Sequence, residues 1–264
     1  MAKRKLYWNE LNTNDFARLD PEKTIAVLPV AATEQHGPHL PVATDTAIAE
    51  GMIAETFRQL PDDLSVLFLP TQAIGKSNEH LRSAGTITFD HETVTRAWIE
   101  IGEAVHRAGL RKLVIVNSHG GNVDVVSIVA RDLRVRLQML VVGCQWGRFG
   151  SPPGLYTAEE AAVGIHAGDM ETSLMLHFRP DLVDMSKAEN FAPTTIQIAK
   201  EFAHLRPTGV TAFGWIAQDL HPSGAAGDAS VATVEKGKAT AEFRAREFIK
   251  LLRDVEKFSL KRLA

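Results

Sequence analysis

The hydrophobic and polar positions of this 264-residue chain alternate between short apolar runs and longer segments with helical spacing. The apolar runs predict buried strands at residues 24–30, 64–69, 112–117 and 139–143. Apolar residues three or four positions apart predict helices at residues 45–60, 91–107, 123–137, 168–178 and 229–254. This alternation of strand and helix is typical of a parallel sheet that is covered by helices on both faces.

The pattern is less regular after Gly143. Residues 147–154 predict a loop, and residues 190–207 fit neither the strand period nor the helix period. Residues 208–227 are rich in glycine, proline and serine, which favours a long loop over the surface or over a site. Because no repeat, low-complexity tract or linker interrupts the sequence, residues 1–264 are interpreted as one domain.

Composition narrows the class of protein. The apolar fraction of 45% and the charged fraction of 23% are ordinary for a soluble globular protein. A net charge of −3 gives no general attraction to nucleic acid or to acidic membranes. Neither a membrane span nor a signal peptide is predicted, since no sufficiently long apolar run is present. The single cysteine, Cys144, excludes an intrachain disulfide and fits a reducing, cytoplasmic location. It is expected to be a small buried apolar side chain.

Three fragments of the chain combine imidazole or carboxylate groups with glycine. They are EQHGPH at residues 34–39, which leads to Asp45, NSHGGN at residues 117–122 and HAGDME at residues 166–171. Glu34 and His36 follow a predicted strand, where residues two apart project to the same side. Asp45 begins the next helix, and His119 follows another strand. Ligands of open parallel sheets bind beyond the carboxyl ends of the strands, so these side chains are expected to meet there.

Five residues could together hold two divalent cations: Glu34, His36, Asp45, His119 and Glu171. Two dications would be balanced by the three carboxylates and one hydroxide, whereas the carboxylates alone would repel one another or take up protons. Imidazole and carboxylate ligands without thiolate favour Zn²⁺ or Mn²⁺. Two such ions that share a water can cut an amide bond at neutral pH.

Each of these residues also has a simpler interpretation. A histidine after a strand is commonly structural, Asp45 alone is typical of a helix cap, and Glu171 alone is an ordinary helix carboxylate. Gly120 and Gly121 are a loop signal or an anion-binding helix start. His39 is expected to pack behind the site. The remaining histidines have no evident partner and are expected to be structural: His80, His91, His106, His177, His204 and His221.

The three fragments resemble the motifs of the creatininase (creatinine amidohydrolase) family. The matching positions are EQHGPHLP at 34–41 with Thr44 and Asp45, NSHGGN at 117–122, and His-Ala-Gly-x-x-Glu-Thr-Ser at 166–173. The likeness extends from near Val27 through the C-terminal helix. It implies a three-layer α/β/α fold with a mainly parallel sheet. It also implies metal-dependent hydrolysis of C–N bonds in small cyclic or linear amides, and a homohexamer.

The resemblance also implies roles for individual residues. Glu34 and His119 would ligate one ion, His36 the other, and Asp45 would bridge them. Glu171 would replace a ligand glutamate that creatininase carries after its matching histidine, where this chain has two glycines.

His166 matches the catalytic histidine of the family, which handles protons during ring opening. Two departures count against creatinine itself as the substrate. Ala162 stands where creatininase has a flap tryptophan, and Ile165 stands where it has a glutamate. Neither departure affects the expected metal chemistry.

The sequence therefore predicts a dinuclear metal-dependent hydrolase of a small, cyclic amide such as creatinine or a related lactam. The expected catalytic residues are His166, which would deliver a proton to the leaving nitrogen, and Glu171. The expected cofactors are two Zn²⁺ or Mn²⁺ ions per chain, and the expected partners are the amide and further copies of the chain. The alternatives are a peptidase or deformylase of the same family, and a non-catalytic protein that binds metal or ligand.

Overall fold

The computed structural model describes residues 4–263. Its central strands are β1 (Ile25–Val30), β2 (Val66–Phe68), β3 (Lys112–Asn117) and β4 (Leu140–Gln145). They form one parallel sheet in the order β2-β1-β3-β4. Strand β1 pairs with β3 from Ile25 opposite Lys112 to Val30 opposite Asn117. The segments that follow these two strands therefore leave the sheet side by side.

The helices and two short strands complete the fold. The helices are α1 (Thr13–Phe16), α2 (Thr44–Gln59), α3 (His91–Arg107), α4 (Val123–Leu137), α5 (Ala158–Val163), α6 (Asp169–Phe178), α7 (Thr195–Glu201), α8 (Ala217–Leu220) and α9 (Val234–Lys257). Strands β5 (Asn190–Phe191) and β6 (Gly227–Asp228) form an antiparallel pair. Short 3₁₀ turns include Asn78–His80, Gly120–Asn122, Trp146–Phe149 and Ala229–Val231.

Alternate residues of the central strands belong to two separate hydrophobic clusters. On one face of the sheet, Ile25 and Val27 pack with side chains of α2, α6 and α9. On the other face, Ala26 and Leu28 pack with side chains of α3 and α4. This division follows from the two-residue period of a strand, which sends successive side chains to opposite faces. The predicted three-layer α/β/α arrangement with a mainly parallel sheet is confirmed.

Helix α3 shows why the predicted helices form. Val94, Trp98 and Val105 are fully buried against the sheet, and Ile101 packs beside them at partial exposure. The Asp90 side chain caps the helix by accepting a hydrogen bond from the Thr93 N–H. An apolar stripe at helical spacing and a capped first turn together define this element.

Several predicted boundaries differ from the observed ones. Helix α9 begins at Val234 rather than at residue 229, because the Thr233 hydroxyl caps it by accepting the Lys236 N–H. Strand β4 continues to Gln145 rather than ending at residue 143, since Gln145 pairs with Asn117 of β3. Residues 208–227, predicted as a continuous loop, contain α8. Among the helices formed by residues 4–263, none has both the length and the apolar composition needed to cross a bilayer.

Cys144 lies in β4 and packs against the core. Burial raises the pKa of its thiol to about 12. Because the thiolate is the reactive form, iodoacetamide at about pH 8 is expected to leave Cys144 unmodified in the native protein. The same reagent should label it fully after unfolding in guanidinium, as measured by intact-protein mass spectrometry. Rapid labelling of the native protein would show that the strand is more open than the structure indicates.

Candidate metal centre

The predicted ligands come together at the carboxyl edge of the sheet. Glu34 and His36 follow β1, and His119 follows β3. Asp45 lies in the first turn of α2, and Glu171 lies in the first turn of α6. Glu34, His36, Asp45 and His119 are all buried, while Glu171 is partly exposed. The adjacent ends of β1 and β3 thus provide three of the five side chains, while α2 provides Asp45 and α6 brings Glu171 from far along the chain.

The ligand atoms form two groups that share Asp45. The first group is Glu34, Asp45 and His119, where His119 Nδ1 lies 3.1 Å from Glu34 Oε1 and 3.3 Å from Asp45 Oδ2. The second group is His36, Asp45 and Glu171, where His36 Nε2 lies 3.5 Å from Asp45 Oδ1 and 3.8 Å from Glu171 Oε2. Each oxygen of Asp45 therefore faces a different histidine.

Hydrogen bonds to backbone carbonyls orient both histidines. His36 Nδ1 donates to the Glu34 carbonyl at 3.1 Å, and His119 Nε2 donates to the Lys76 carbonyl at 2.9 Å. Because a carbonyl can only accept, these nitrogens carry a ring proton, and the opposite nitrogens face the site, where each offers a lone pair once the ring is neutral. Metal-binding histidines are typically held in this way.

Two of the predicted ligands carry polar atoms that the protein leaves unsatisfied. Within the described residues, the buried atoms His36 Nε2 and Asp45 Oδ2 have no hydrogen-bond partner. Buried polar atoms are rarely left without one, because the loss of hydration costs free energy. Both residues belong to the ligand groups described above, and a metal ion would supply the missing partner, so this donor set fits divalent cations.

The side chains of the site shift one another's pKa. Burial opposes the charged form of His36, but Asp45, Glu171 and Glu34 outweigh it and raise the pKa of His36 to about 9. The pKa of His119 is raised by the same balance with Glu34 and Asp45. Burial, reinforced by Asp45 and Glu34, raises the pKa of Glu171 to about 7 despite the opposing effect of His36. Protons bound here must leave before a dication can enter.

The NSHGGN fragment is a scaffold for His119. Asn117 accepts the His119 N–H at 3.0 Å and donates to the His119 carbonyl at 2.5 Å. Asn122 donates to the Ala31 carbonyl at 3.0 Å and accepts the Lys76 N–H at 2.9 Å. A Cβ at Gly121 would collide with Glu79, with His119 and with the Lys76 carbonyl, so only glycine fits there. The neighbouring Gly120 faces open space and meets no such restriction.

His166 also lies at the centre. Its Nε2 donates to the Gln35 carbonyl at 2.7 Å, which leaves Nδ1 facing Glu34 Oε1 at 3.7 Å. Burial, with the nearby charges of His36 and His80, holds its pKa well below the ordinary value. The imidazole is therefore neutral, with a free lone pair directed at the site. His166 could also join Glu34 and His36 in a third ligand group.

Sequence reasoning missed a set of residues around Glu34. His80, expected to be structural, places Nε2 3.6 Å from Glu34 Oε1, and Ser77 donates a short hydrogen bond to Glu34 Oε2. Gln35 links His80 to the site by donating to its Nδ1 at 2.7 Å. Ser77 and His80 lie in the segment after β2, and Gln35 lies between Glu34 and His36 after β1. The rule that located His119 covers residues that directly follow a strand, whereas Ser77 and His80 lie further along the chain.

Two simpler interpretations can be compared with the structure. Asp45 is not the helix cap of α2, since Ala43 occupies that position and the Asp45 carboxylate faces the two histidines. His39 packs behind the site as expected, with Nε2 2.9 Å from the Thr172 hydroxyl and its ring stacked on Phe191. Burial, followed by the charge of His36, lowers the pKa of His39 to about 4.

Comparison with known proteins identifies the class. Residues 9–252 match the family model for creatinine amidohydrolase, so the chain belongs to the creatininase family of hydrolases. The predicted resemblance is therefore confirmed. The mycofactocin precursor peptide peptidase of Mycobacterium ulcerans is 33% identical over 87% of this chain and 84% of its own length. The creatinine amidohydrolase of Pseudomonas putida is 28% identical over 72% of this chain and 76% of its own length.

Solved creatininase structures share the fold. A mutant creatininase of the Zn–Zn type is 25% identical, has a TM-score of 0.75, and is covered over 98% of its length by 96% of this chain. A manganese form of creatininase is 25% identical, has a TM-score of 0.73, and is covered over 98% of its length by 95% of this chain. Zinc and manganese, the metals expected from the donor set, thus both occur in similar structures.

Proposed function

We propose that this protein hydrolyses an amide C–N bond with two divalent ions, Zn²⁺ or Mn²⁺, held at the carboxyl edge of the sheet. Glu34 and His119 would ligate one ion, His36 and Glu171 the other, and Asp45 both. The observation that carries this proposal is the position of Asp45, whose two oxygens lie 3.5 Å and 3.3 Å from nitrogens of different histidines. A carboxylate placed in this way is suited to bridging two cations.

Other residues of the chain would transfer the proton and orient the ligands. When bound, a pair of divalent cations lowers the pKa of water to about 7 and polarises a carbonyl oxygen, which is the chemistry that amide hydrolysis requires. His166 would accept at Nδ1 the proton that the attacking water gives up and deliver it to the leaving nitrogen as the C–N bond breaks, while its bond to the Gln35 carbonyl fixes the ring. Ser77 holds Glu34 by donating to Oε2, so that Oε1 is directed at the centre.

A small cyclic amide is the first candidate substrate, because the buried centre suits a compact ring. A peptide is the second candidate, and a surface cavity favours it. This cavity of about 350 Å³ is lined by Lys76, Asn78, Glu79, Gly214, Trp215, Ile216 and Asp219. Glu79 also lies 3.6 Å from His119 Nε2, the ring nitrogen turned away from the proposed ions, so the cavity lies beside a proposed ligand and could hold a length of peptide chain. The similarity to a peptide peptidase points the same way.

A substrate panel tests the proposal. Creatinine, other lactams, hydantoin-like rings and short peptides are incubated with protein loaded with Mn²⁺ or Zn²⁺, and amide cleavage is followed by mass spectrometry. We expect one class to be cleaved and His166→Asn to lower that turnover about 10²-fold or more, as for loss of a general acid–base group. Metal content of the variant should remain unchanged.

His91→Asn is the matched control. His91 is exposed at the start of α3, which packs on the face of the sheet opposite to α2 and α6. It should match wild type in turnover and in metal content. If only peptides are cleaved, the substrate is a peptide and not a cyclic amide. A protein that retains its metal but cleaves nothing in the panel would instead be the non-catalytic alternative.

A further inference from the structure

A buried carboxylate outside the metal centre ties three segments together. Glu160 lies in α5 and is 7% exposed. Its Oε1 accepts the Asp169 N–H at 2.8 Å, and its Oε2 accepts the Asp228 N–H at 2.9 Å. Asp169 begins α6, two residues before Glu171, and Asp228 belongs to β6. The carboxylate thus joins α5, the start of α6 and β6 through backbone groups.

Three glycines make room for this carboxylate. A Cβ at Gly164, Gly168 or Gly227 would lie within 3.0 Å of Glu160 Oε1. Burial raises the pKa of Glu160, and the nearby Asp169 and Asp228 add to the effect, while the two N–H groups oppose it. Burial and the charges of two neighbouring carboxylates both disfavour the ionised form of Glu160. Because three glycines leave room for this carboxylate, its role is attributed to its two hydrogen bonds, which connect α5 to the start of α6 and to β6.

The turn that these bonds hold carries two residues of the proposed site. Within it, Ala167 adopts φ +57°, the left-handed region that a residue with a side chain rarely occupies. The Ala167 N–H donates to Glu171 Oε2 at 2.6 Å, and His166 exchanges two backbone hydrogen bonds with Ala226. A backbone in this conformation persists only where its surroundings hold it. The bond from Asp169 to Glu160 restrains the turn from its far end.

We infer that Glu160 is a positioning residue, whose carboxylate fixes the 166–171 turn so that His166 and Glu171 face the metal centre. This inference rests on the proposed function, because it requires Glu171 to ligate an ion. Glutamine cannot replace the carboxylate, since each of its oxygens accepts a different N–H. The amide NH₂ of glutamine is itself a donor, so the backbone N–H that faces it would lose its acceptor.

The variant Glu160→Gln tests the inference through Mn²⁺ binding, measured by isothermal titration calorimetry on the metal-free protein. Wild type should bind two ions. The variant should bind the ion at Glu34 and His119 with unchanged affinity, and the ion at His36 and Glu171 with affinity about 10- to 100-fold lower, as for loss of a group that orients a ligand. Hydrogen exchange at the Asp169 and Asp228 amides should become faster in the same protein.

Two further variants separate positioning from general destabilisation. Glu159→Gln is the matched control on the same helix, because Glu159 is exposed, and it should behave as wild type. Gly164→Ala displaces the carboxylate sterically without removing a hydrogen-bonding group, since the two atoms nearest to the added Cβ are Oε1 and Cδ of Glu160 and the third is the Glu160 backbone carbonyl. It should reproduce the selective loss of affinity, with a melting curve that confirms a folded protein.

The outcomes distinguish this inference from the proposed function. If wild type does not bind a pair of ions, the proposed function is wrong and the inference falls with it. If wild type binds two ions and the folded Gly164→Ala and Glu160→Gln proteins bind both with unchanged affinity, the metal site stands and the positioning role is wrong. Should Glu160→Gln not fold, the affinities of Gly164→Ala decide.

Discussion

Replacing Asp45 with asparagine is expected to remove both metal ions and to lower amide hydrolysis about 10³-fold, as when a group that stabilises charge in a reaction centre is lost. Asp45 Oδ1 faces His36 and Asp45 Oδ2 faces His119, so in the proposed centre each oxygen would ligate a different ion. Asparagine keeps one oxygen and loses the negative charge, so it cannot bridge two cations. Metal content after gel filtration, measured by plasma mass spectrometry, and turnover on the substrate found in the panel check this result.

Asp124→Asn is the matched control for this experiment. Asp124 is also an acidic residue in the first turn of a helix, but it is exposed at the start of α4. It should retain both ions and full turnover. The Asp45→Asn protein should still fold, because the variant removes a buried charge rather than apolar packing. Two retained ions with wild-type turnover in Asp45→Asn would show that Asp45 does not bridge.

Much of the fold could be predicted from local pattern alone. Helix α3 and strand β3 were predicted at their observed bounds, because their apolar periods are unbroken and end at polar residues. Helix α5 was not predicted, since its six residues include two glutamates and three alanines and are too few to show a period. Its place is set by tertiary contacts, above all by the bonds that Glu160 accepts from Asp169 and Asp228.

The candidate site could be predicted where its residues follow strands in recognisable motifs. Glu34, His36 and His119 were found in this way, and the structure brings them together as expected. His80 was missed because it lies in a segment without regular spacing, twelve residues after the end of β2 (Phe68 to His80). Glu160 was missed for a different reason. Its role depends on a left-handed turn at Ala167, which no sequence pattern indicates.

Adding Mn²⁺ to metal-free protein is expected to raise the melting temperature, and to raise it more at about pH 8 than at about pH 6. In the structure His36 has a pKa raised to about 9, and Glu171 has a pKa raised to about 7. A histidine with a raised pKa stabilises the fold below its unfolded pKa of about 6.5, and this contribution is lost as the pH rises through the folded value. The raised pKa of Glu171 acts in the same direction, because the protonated form is favoured in the folded state.

Mn²⁺ competes with these protons, so its affinity increases over the same pH range in which the metal-free protein loses stability. At a metal concentration of about 100 times Kd, binding contributes about 2.7 kcal/mol of stability. For a chain of this size, that corresponds to an increase in Tm of roughly 5–10 °C. Differential scanning fluorimetry with Mn²⁺ and with chelator, at both pH values, measures the increase. Asp45→Asn should show little increase at either pH. An increase in wild type that is equal at both pH values, or larger at the lower one, would mean that metal binding does not displace protons from His36 and Glu171.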